Sequence, residues 1–359
     1  MEKIHLIDTH EHEIFSKITR LFDLALLPVS KRKFVKKVQM HRKNIARIIT
    51  LTYRCNSDCN FCYAKGLNKQ YKEVMDLEDF ERLLNWFEKQ KINHITVTGG
   101  EPTSHPNFKE MLDIINQRKF RMTIVTNGLF PSTFLDKVIK KKESFILSYR
   151  KPEEYSRVNA ELLDKNLQSI SDKKLQIRLF YNLSHDNTDP RYILDACKKY
   201  KINHVILSVI FPNISKNNKY VSFTQLKQMG SSIVKNVDIL IRNGIKVVIR
   251  RPLPFCIFTK EQRMWLEKNA DLHGVCLVGS RRYYINTDLS LLPCSALSTD
   301  STFKGPNVFQ FNSEKEAIHY YSNSMTQLKW KPLIKECLEC NFYKQRECQG
   351  GCLIYKLIT

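Results

Sequence analysis

Through the middle of this chain, short apolar runs alternate with stripes of apolar residues at helical spacing. Arg47 to Tyr53, His94 to Thr98, Arg121 to Thr126, Ser144 to Ser148, Leu175 to Tyr181, His204 to Ile210 and Ile245 to Ile249 read as strands. Leu77, Phe80, Leu83, Leu84 and Phe87 form the stripe of a helix over Leu77 to Glu88. Further helices are predicted from Asn107 to Gln117 and from Ile233 to Ile241. Asp76, with Asp79 three residues on, predicts a capped start to the first helix. Strands alternating with helices argue for a parallel α/β sheet over residues 47–250.

Both flanks differ from this pattern. In residues 1–46, Ile14, Phe15, Ile18, Leu21, Phe22 and Leu24 recur at helical spacing, and Pro28 ends that stripe. A basic run follows, with Lys31, Arg32, Lys33, Lys36, Lys37, Arg42, Lys43 and Arg47 and no acid between them. This extension could cover one end of the sheet, rest on a membrane surface or guide an anionic substrate. Residues 251–275 read as a linker with a helix over Gln262 to Asn269. Residues 276–359 are cysteine-rich and begin with a hairpin, Arg282 to Asn286 against Ser290 to Pro293, around Thr287 and Asp288.

Composition narrows the class. The chain has 359 residues, 42% of them hydrophobic, enough for two domains at about 150 residues each. No apolar run reaches the roughly 18 residues of a membrane span, and the N-terminus lacks the pattern of a signal peptide. Eleven cysteines without such a signal point to metal ligation in a reducing cytoplasm rather than disulfides. The net charge of +22 speaks to association and solubility, and a solvated lysine-rich surface would also explain it.

The sharpest chemistry lies just after the first strand. Cys55, Cys59 and Cys62 stand at C-x3-C-x2-C spacing. Thiolates suit iron–sulfur clusters and zinc. Three ligands leave one metal position open, which is where chemistry occurs; a zinc knuckle with a distant fourth ligand is the alternative. The second strand ends in Gly99-Gly100-Glu101-Pro102, and the third in Thr126-Asn127-Gly128. Active sites of β/α barrels lie at such C-terminal strand ends.

These residues, Phe61 before the third cysteine included, resemble the radical S-adenosylmethionine (radical SAM) enzymes over roughly residues 46–250. The resemblance implies a partial (β/α)6 barrel in the α/β class, open on one side. It implies a [4Fe–4S] cluster on Cys55, Cys59 and Cys62 whose free iron chelates SAM. A reduced cluster of this kind cleaves SAM to a 5′-deoxyadenosyl radical. Phe61 would lie beside the adenine, and Gly99 and Gly100 would let the backbone approach the methionyl ammonium. Glu101 would offer that ammonium a carboxylate, and Pro102 would fix the turn. Thr126, Asn127 and Ser148 could bind SAM or simply cap their strands. Tyr63 either screens the cluster or packs as an ordinary aromatic.

The closing run Cys337-x2-Cys340-x7-Cys348-x3-Cys352, with Cys276 and Cys294 before it, is similar to the SPASM or twitch extension of that family. That extension holds one or two auxiliary iron–sulfur clusters. By resemblance Cys276, Cys294 and Cys352 would serve the cluster nearer the barrel, and Cys337, Cys340 and Cys348 the outer one. Two departures stand out: Leu289 occupies or adjoins the usual hairpin glycine, and no cysteine follows Cys352. A zinc ribbon on Cys337, Cys340, Cys348 and Cys352 is the alternative. Cys197 and Cys256 read as buried small hydrophobes.

Auxiliary clusters and a basic surface suit a ribosomally made peptide or protein as substrate, to be crosslinked, epimerised or otherwise matured. Radical chemistry on a nucleotide or tetrapyrrole precursor is the second reading. A tRNA substrate is weaker, since no RNA-binding module is visible, and a non-catalytic metal protein would not need the Gly99–Pro102 turn. The resemblance also implies a flavodoxin- or ferredoxin-type electron donor.

Overall fold

In the computed structural model, residues 47–138, 142–186, 188–214, 218–272, 274–276, 278, 282–300 and 303–358 are described. The helix and basic run expected before Arg47 lie outside them.

Seven strands run parallel: β1 (Arg47–Thr52), β2 (His94–Gly99), β3 (Arg121–Thr126), β4 (Glu143–Tyr149), β5 (Gln176–Leu183), β6 (His204–Val209) and β7 (Lys246–Ile249). One face of the strands packs under the helices with large apolar residues, such as Ile49 and Leu51 of β1, Ile95 and Val97 of β2 and Met122 and Ile124 of β3, while Thr50, Thr96, Thr123 and Ser208 alternate with them on the other face. Helices α1 (Leu77–Lys89), α2 (Phe108–Gln117), α3 (Arg157–Asp172), α4 (Arg191–Lys199), α5 (Phe223–Gln228) and α6 (Gly230–Arg242) lie between strands, and α7 (Lys260–Asn269) follows β7. Each strand pairs with its predecessor, and β7 does not return to β1, so the barrel is partial among the described residues.

The ends of two helices depart from expectation. Asp76 makes no side-chain cap to α1; its carboxylate takes the Lys72 ammonium instead, and Glu78 and Asp79 face the positive helix end. Helix α7 begins at Lys260 because Thr259 and Gln262 form a reciprocal capping box.

The cysteine-rich region joins the same sheet. Strand β8 (Tyr284–Ile285) pairs parallel with β1, and β9 (Leu291–Leu292) pairs antiparallel with β8. In the turn between them Leu289 has φ 64°, the left-handed conformation that glycine would adopt freely. The strain is about 1–2 kcal/mol. Its side chain is buried at 4% exposure, which offsets that by a similar amount, about 1.5–3 kcal/mol. One apolar cluster contains Phe80, Leu84 and Phe87 of α1, Ile285 and Leu291 of the hairpin, and Leu353 and Ile354 near the C-terminus. Trp86 donates its indole N–H to the Phe311 carbonyl (3.1 Å), and Arg47 pairs with Glu314, tying the barrel's first units to this region. Apolar burial against the barrel therefore supports the C-terminal segment, beyond anything a metal would add.

Candidate active site

After β1 the chain leaves the sheet at its C-terminal end and forms the cysteine loop. No helix or strand fixes the loop, so its shape depends on bonds to its surroundings. Asn56 Nδ2 donates to the Leu129 carbonyl (2.6 Å), past β3. Asn218 Nδ2 donates to the Phe61 carbonyl (3.1 Å), and the Lys219 N–H to the Asn60 carbonyl (2.9 Å), from beyond β6. Tyr53 donates its hydroxyl to Asn286 Oδ1 in the β8–β9 turn (2.5 Å). The loop is held from both sides of the barrel.

The structure brings the three thiols together. Desolvation pushes Cys55, Cys59 and Cys62 above the ordinary thiol range, and each is raised further by another of the three. The guanidinium of Arg150, beyond the end of β4, opposes that rise at Cys59. Arg150 also reaches Ser57 Oγ (3.5 Å) and lies over the Tyr155 ring (4.3 Å). Nothing in its local sequence marks it, because its role depends on the β4 end facing the loop.

The Gly99–Pro102 turn lies against β1. A Cβ on Gly99 would sit 2.1 Å from the Thr52 carbonyl oxygen, and one on Gly100 2.4 Å from that of Arg54. The freedom of these glycines thus serves the approach of two backbones within the chain, not only an approach to a ligand. The Gly100 and Glu101 N–H groups donate to those carbonyls at 2.7 and 2.8 Å.

Glu101 is fully buried. Its carboxylate accepts from the Thr103 N–H (3.2 Å), Thr103 Oγ1 (2.7 Å), Thr126 Oγ1 (2.9 Å) and the Asn127 N–H (2.7 Å). Burial pushes its carboxyl upward, and the bonds from Asn127, Thr103 and Thr126 oppose this. Three of the four bonds fall on Oε1 and one on Oε2, so Oε2 keeps capacity for a cation. Asn127 extends the network: its Nδ2 donates to Asn56 Oδ1 (2.7 Å) and lies 3.9 Å from Cys55 Sγ. Glu101→Ala would leave these buried donors without an acceptor and loosen the cysteine loop as well. Glu101→Gln keeps the shape and removes the charge. It is expected to weaken SAM affinity by about 10- to 150-fold with iron content retained, on a charged hydrogen bond of about 1.5–3 kcal/mol. Unchanged affinity would confine Glu101 to the internal network.

Of the other expected contacts, Ser148 Oγ accepts from Asn182 Nδ2 (3.1 Å), and Tyr63 packs on Phe211 with ring centroids 5.5 Å apart. Pro102 opens a single 3-10 turn over Pro102–Ser104. The Phe61 backbone anchors the loop as described.

The six C-terminal cysteines fall into two groups. Cys276, pushed up to about 12 by burial, lies within electrostatic reach of Cys352 and Cys294. Cys348 lies within reach of Cys337 and Cys340. Donors aim at the sulfurs: the Ala296 N–H at Cys294 Sγ (3.4 Å), Arg251 Nη1 at Cys352 Sγ (3.8 Å), and the Gly350 N–H at Cys348 Sγ (3.4 Å). Arg251 stacks on Phe211, 3.5 Å from its ring centroid. Buried Lys356 lies within reach of Cys337, Cys348, Cys352 and Cys276 and donates to the Gln349 carbonyl (2.6 Å); burial lowers its ammonium to about 8. Cationic groups and N–H donors around all-thiol sets fit thiolate ligation of iron–sulfur clusters. Among the described residues no three Cys, His, Asp or Glu side chains form a ready-made ion site, either at the central loop or in this region.

Cys197 is buried in α4 as expected. Cys256 is not: it is exposed. Phe255 and Ile257 on either side take the buried positions, and Phe255 packs edge-on against Phe342 (5.5 Å), which turns residue 256 outward.

Residues 49–220 match the family model described as the Radical SAM superfamily. Among curated proteins, the chain is 30% identical over 92 residues to a putative glycyl-radical enzyme activating enzyme of Methanocaldococcus jannaschii, covering 26% of this chain and 35% of that protein. It is 23% identical over 239 residues to a probable GTP 3′,8-cyclase of Methanococcus aeolicus, covering 60% of this chain and 79% of the relative. Among solved structures it resembles Streptococcus suis SuiB bound to its precursor peptide SuiA, at TM-score 0.64 and 17% identity, over 96% of this chain and 84% of that one. It also resembles anSMEcpe with bound SAM, at TM-score 0.65 and 16% identity, over 86% and 89%. At these identities the structural likeness is one of fold. Among the described residues no helix is long and apolar enough to cross a membrane. Residues 49–220 of this chain are thus a radical SAM domain, with the strand-end site built in it and a cysteine-rich region following it.

Proposed function

We propose that this enzyme matures a ribosomally made peptide or protein, with Cys55, Cys59 and Cys62 holding the SAM-binding cluster. When bound, that cluster and SAM supply a 5′-deoxyadenosyl radical by reductive cleavage. The chain's own residues do the placing. Asn56, Asn218 and the backbone of Lys219 hold the cysteine loop at the strand ends. Glu101 joins the ends of β2 and β3 and presents Oε2 toward an ammonium. Arg150 supplies positive charge beside the thiols. The groups Cys276/Cys294/Cys352 and Cys337/Cys340/Cys348 would hold auxiliary clusters.

The observation that carries the peptide reading is the fold likeness to SuiB, the structure solved with a precursor peptide, which extends over 96% of this chain and so includes the cysteine-rich region. The second reading, a small-molecule substrate such as a nucleotide, has its support in the GTP cyclase relative, whose match covers 60% of this chain. To separate them, the reading frames adjoining the gene are searched for short peptides, and the anaerobically reconstituted enzyme is given SAM, a reductant and each such peptide, which is followed by mass spectrometry and chiral amino-acid analysis. A SAM-dependent change in the peptide is expected. An unaltered peptide together with consumption of GTP would favour the second reading.

The basic run gives a kinetic test of substrate charge. Reversing Lys31, Arg32, Lys33, Lys36 and Lys37 is expected to slow association of an anionic peptide and flatten its salt dependence, because long-range steering is screened by salt. Substrate-free SAM cleavage should stay as it was. An unchanged rate and salt slope would reduce the run to a solvated surface.

A further inference from the structure

We propose that Cys256 is the fourth thiolate of the outer auxiliary cluster, completing the set of Cys337, Cys340 and Cys348. This rests on the reading that the outer group holds a cluster at all. That group has three thiols, one fewer than the four that an ordinary [4Fe–4S] site takes.

The segment just after β7 is placed to supply the fourth. Pro252 to Cys256 crosses the Cys348–Gly351 turn in close contact. A Cβ on Gly351 would fall 2.9 Å from Pro254 Cγ. The Phe255 N–H points at Cys348 Sγ (3.5 Å), so the backbone one residue before Cys256 already touches a sulfur of the outer group. On the far side, a Cβ on Gly350 would lie 3.5 Å from Cys337 Sγ, so the two sulfurs flank this glycine turn. Cys348 and Cys337 lie within electrostatic reach of Cys256.

Two polar groups near the outer thiols are already engaged. Tyr343 donates its hydroxyl to the Trp330 carbonyl, and Lys356 donates to the carbonyls of Lys329 and Gln349. Lysine also offers no lone pair while charged. Cys256, exposed and unlocked by core packing, keeps a side chain that can turn toward the metal. Cys197, buried in α4, lacks that freedom.

The test needs no variant to begin. Thiol alkylation of the full chain, mapped by mass spectrometry, is compared before and after anaerobic reconstitution with iron and sulfide. Cys256 is expected to react readily in the metal-free protein and to become protected together with Cys337, Cys340 and Cys348. Protection of those three while Cys256 stays reactive would overturn the fourth-ligand assignment and leave the outer cluster standing. Failure of all four to be protected would remove the outer cluster, and the assignment with it. Shielding is distinguished from ligation by Cys256→Ala. If Cys256 is a ligand, this variant loses up to about four irons, or changes the electron paramagnetic resonance signal of the reduced outer cluster, and Cys256→Ser restores it in part. An iron count and spectrum identical to wild type in Cys256→Ala would show shielding alone and overturn the proposal.

Discussion

Replacing any one of Cys55, Cys59 and Cys62 by Ala is expected to abolish reductive SAM cleavage, down to the level of the cluster-free protein. Each thiolate would hold one iron, and the site has no spare ligand, since the loop carries these three cysteines alone. Nearby polar side chains are engaged elsewhere: Asp58 pairs with Lys65. Asn127 and Asn56 are bonded to each other and to the backbone past β3, and Arg150 is a cation that does not ligate. The loop is also held from several strand ends, so it cannot slide another residue into the gap. Cys197→Ala is the control: it removes a buried thiol from α4, far in sequence from every group, and should leave both iron and turnover in place. Production of 5′-deoxyadenosine at the wild-type rate by any of the three central variants would remove these residues from the reaction.

The second large effect concerns iron in the C-terminal region. With a [4Fe–4S] cluster at each of three sites, the reconstituted protein should hold about twelve irons, against about eight with one auxiliary cluster and about four with none. We expect twelve. The arrangement sharpens what each variant should do. Cys348 belongs with Cys337 and Cys340, and Cys352 with Cys276 and Cys294. Replacing both by Ala therefore takes one ligand from each group and should remove up to about eight irons. Uncoupled SAM cleavage at Cys55, Cys59 and Cys62 should survive. Thermal unfolding is measured alongside, because this region shares its apolar cluster with the barrel and a collapse of that cluster would reach α1. A folded wild-type protein holding about four irons and one tightly bound zinc would overturn the auxiliary-cluster assignment.

The parts of this molecule that were legible from sequence are those whose signal is local. Each core strand is a short run whose large apolar residues pack under helices on one face, as Ile49, Leu51, Ile95 and Val97 do. The Gly99–Pro102 turn was visible as a motif, although the glycines' space is filled by the chain's own carbonyls at Thr52 and Arg54. Leu289 was read as standing in a glycine position, and it does adopt the left-handed conformation. What could not be read depends on the tertiary fold. Asn218 and Arg150 come to the cysteine loop from strand ends far away in sequence, with no spacing to announce them. Lys356 looks like an ordinary terminal lysine until burial puts its ammonium among four thiols. Cys256 looked like a core residue beside prolines; the pattern of its neighbours, Phe255 and Ile257 inward, puts it outside. Asp76 carried a cap signature, but Lys72 competes for its carboxylate.

The central claim is that the radical made at this site acts on a peptide, and hydrogen-atom transfer tests it most directly. The reconstituted enzyme, with SAM and reductant, is incubated with short peptides from the reading frames adjoining its gene, deuterated throughout their carbon-bound positions, and the 5′-deoxyadenosine is analysed by mass spectrometry. Abstraction from the peptide predicts deuterium in the 5′-deoxyadenosine, lost when Cys59→Ala replaces the wild type. Deuterium-free 5′-deoxyadenosine from the deuterated peptide, with enrichment when deuterated GTP is supplied instead, would contradict it.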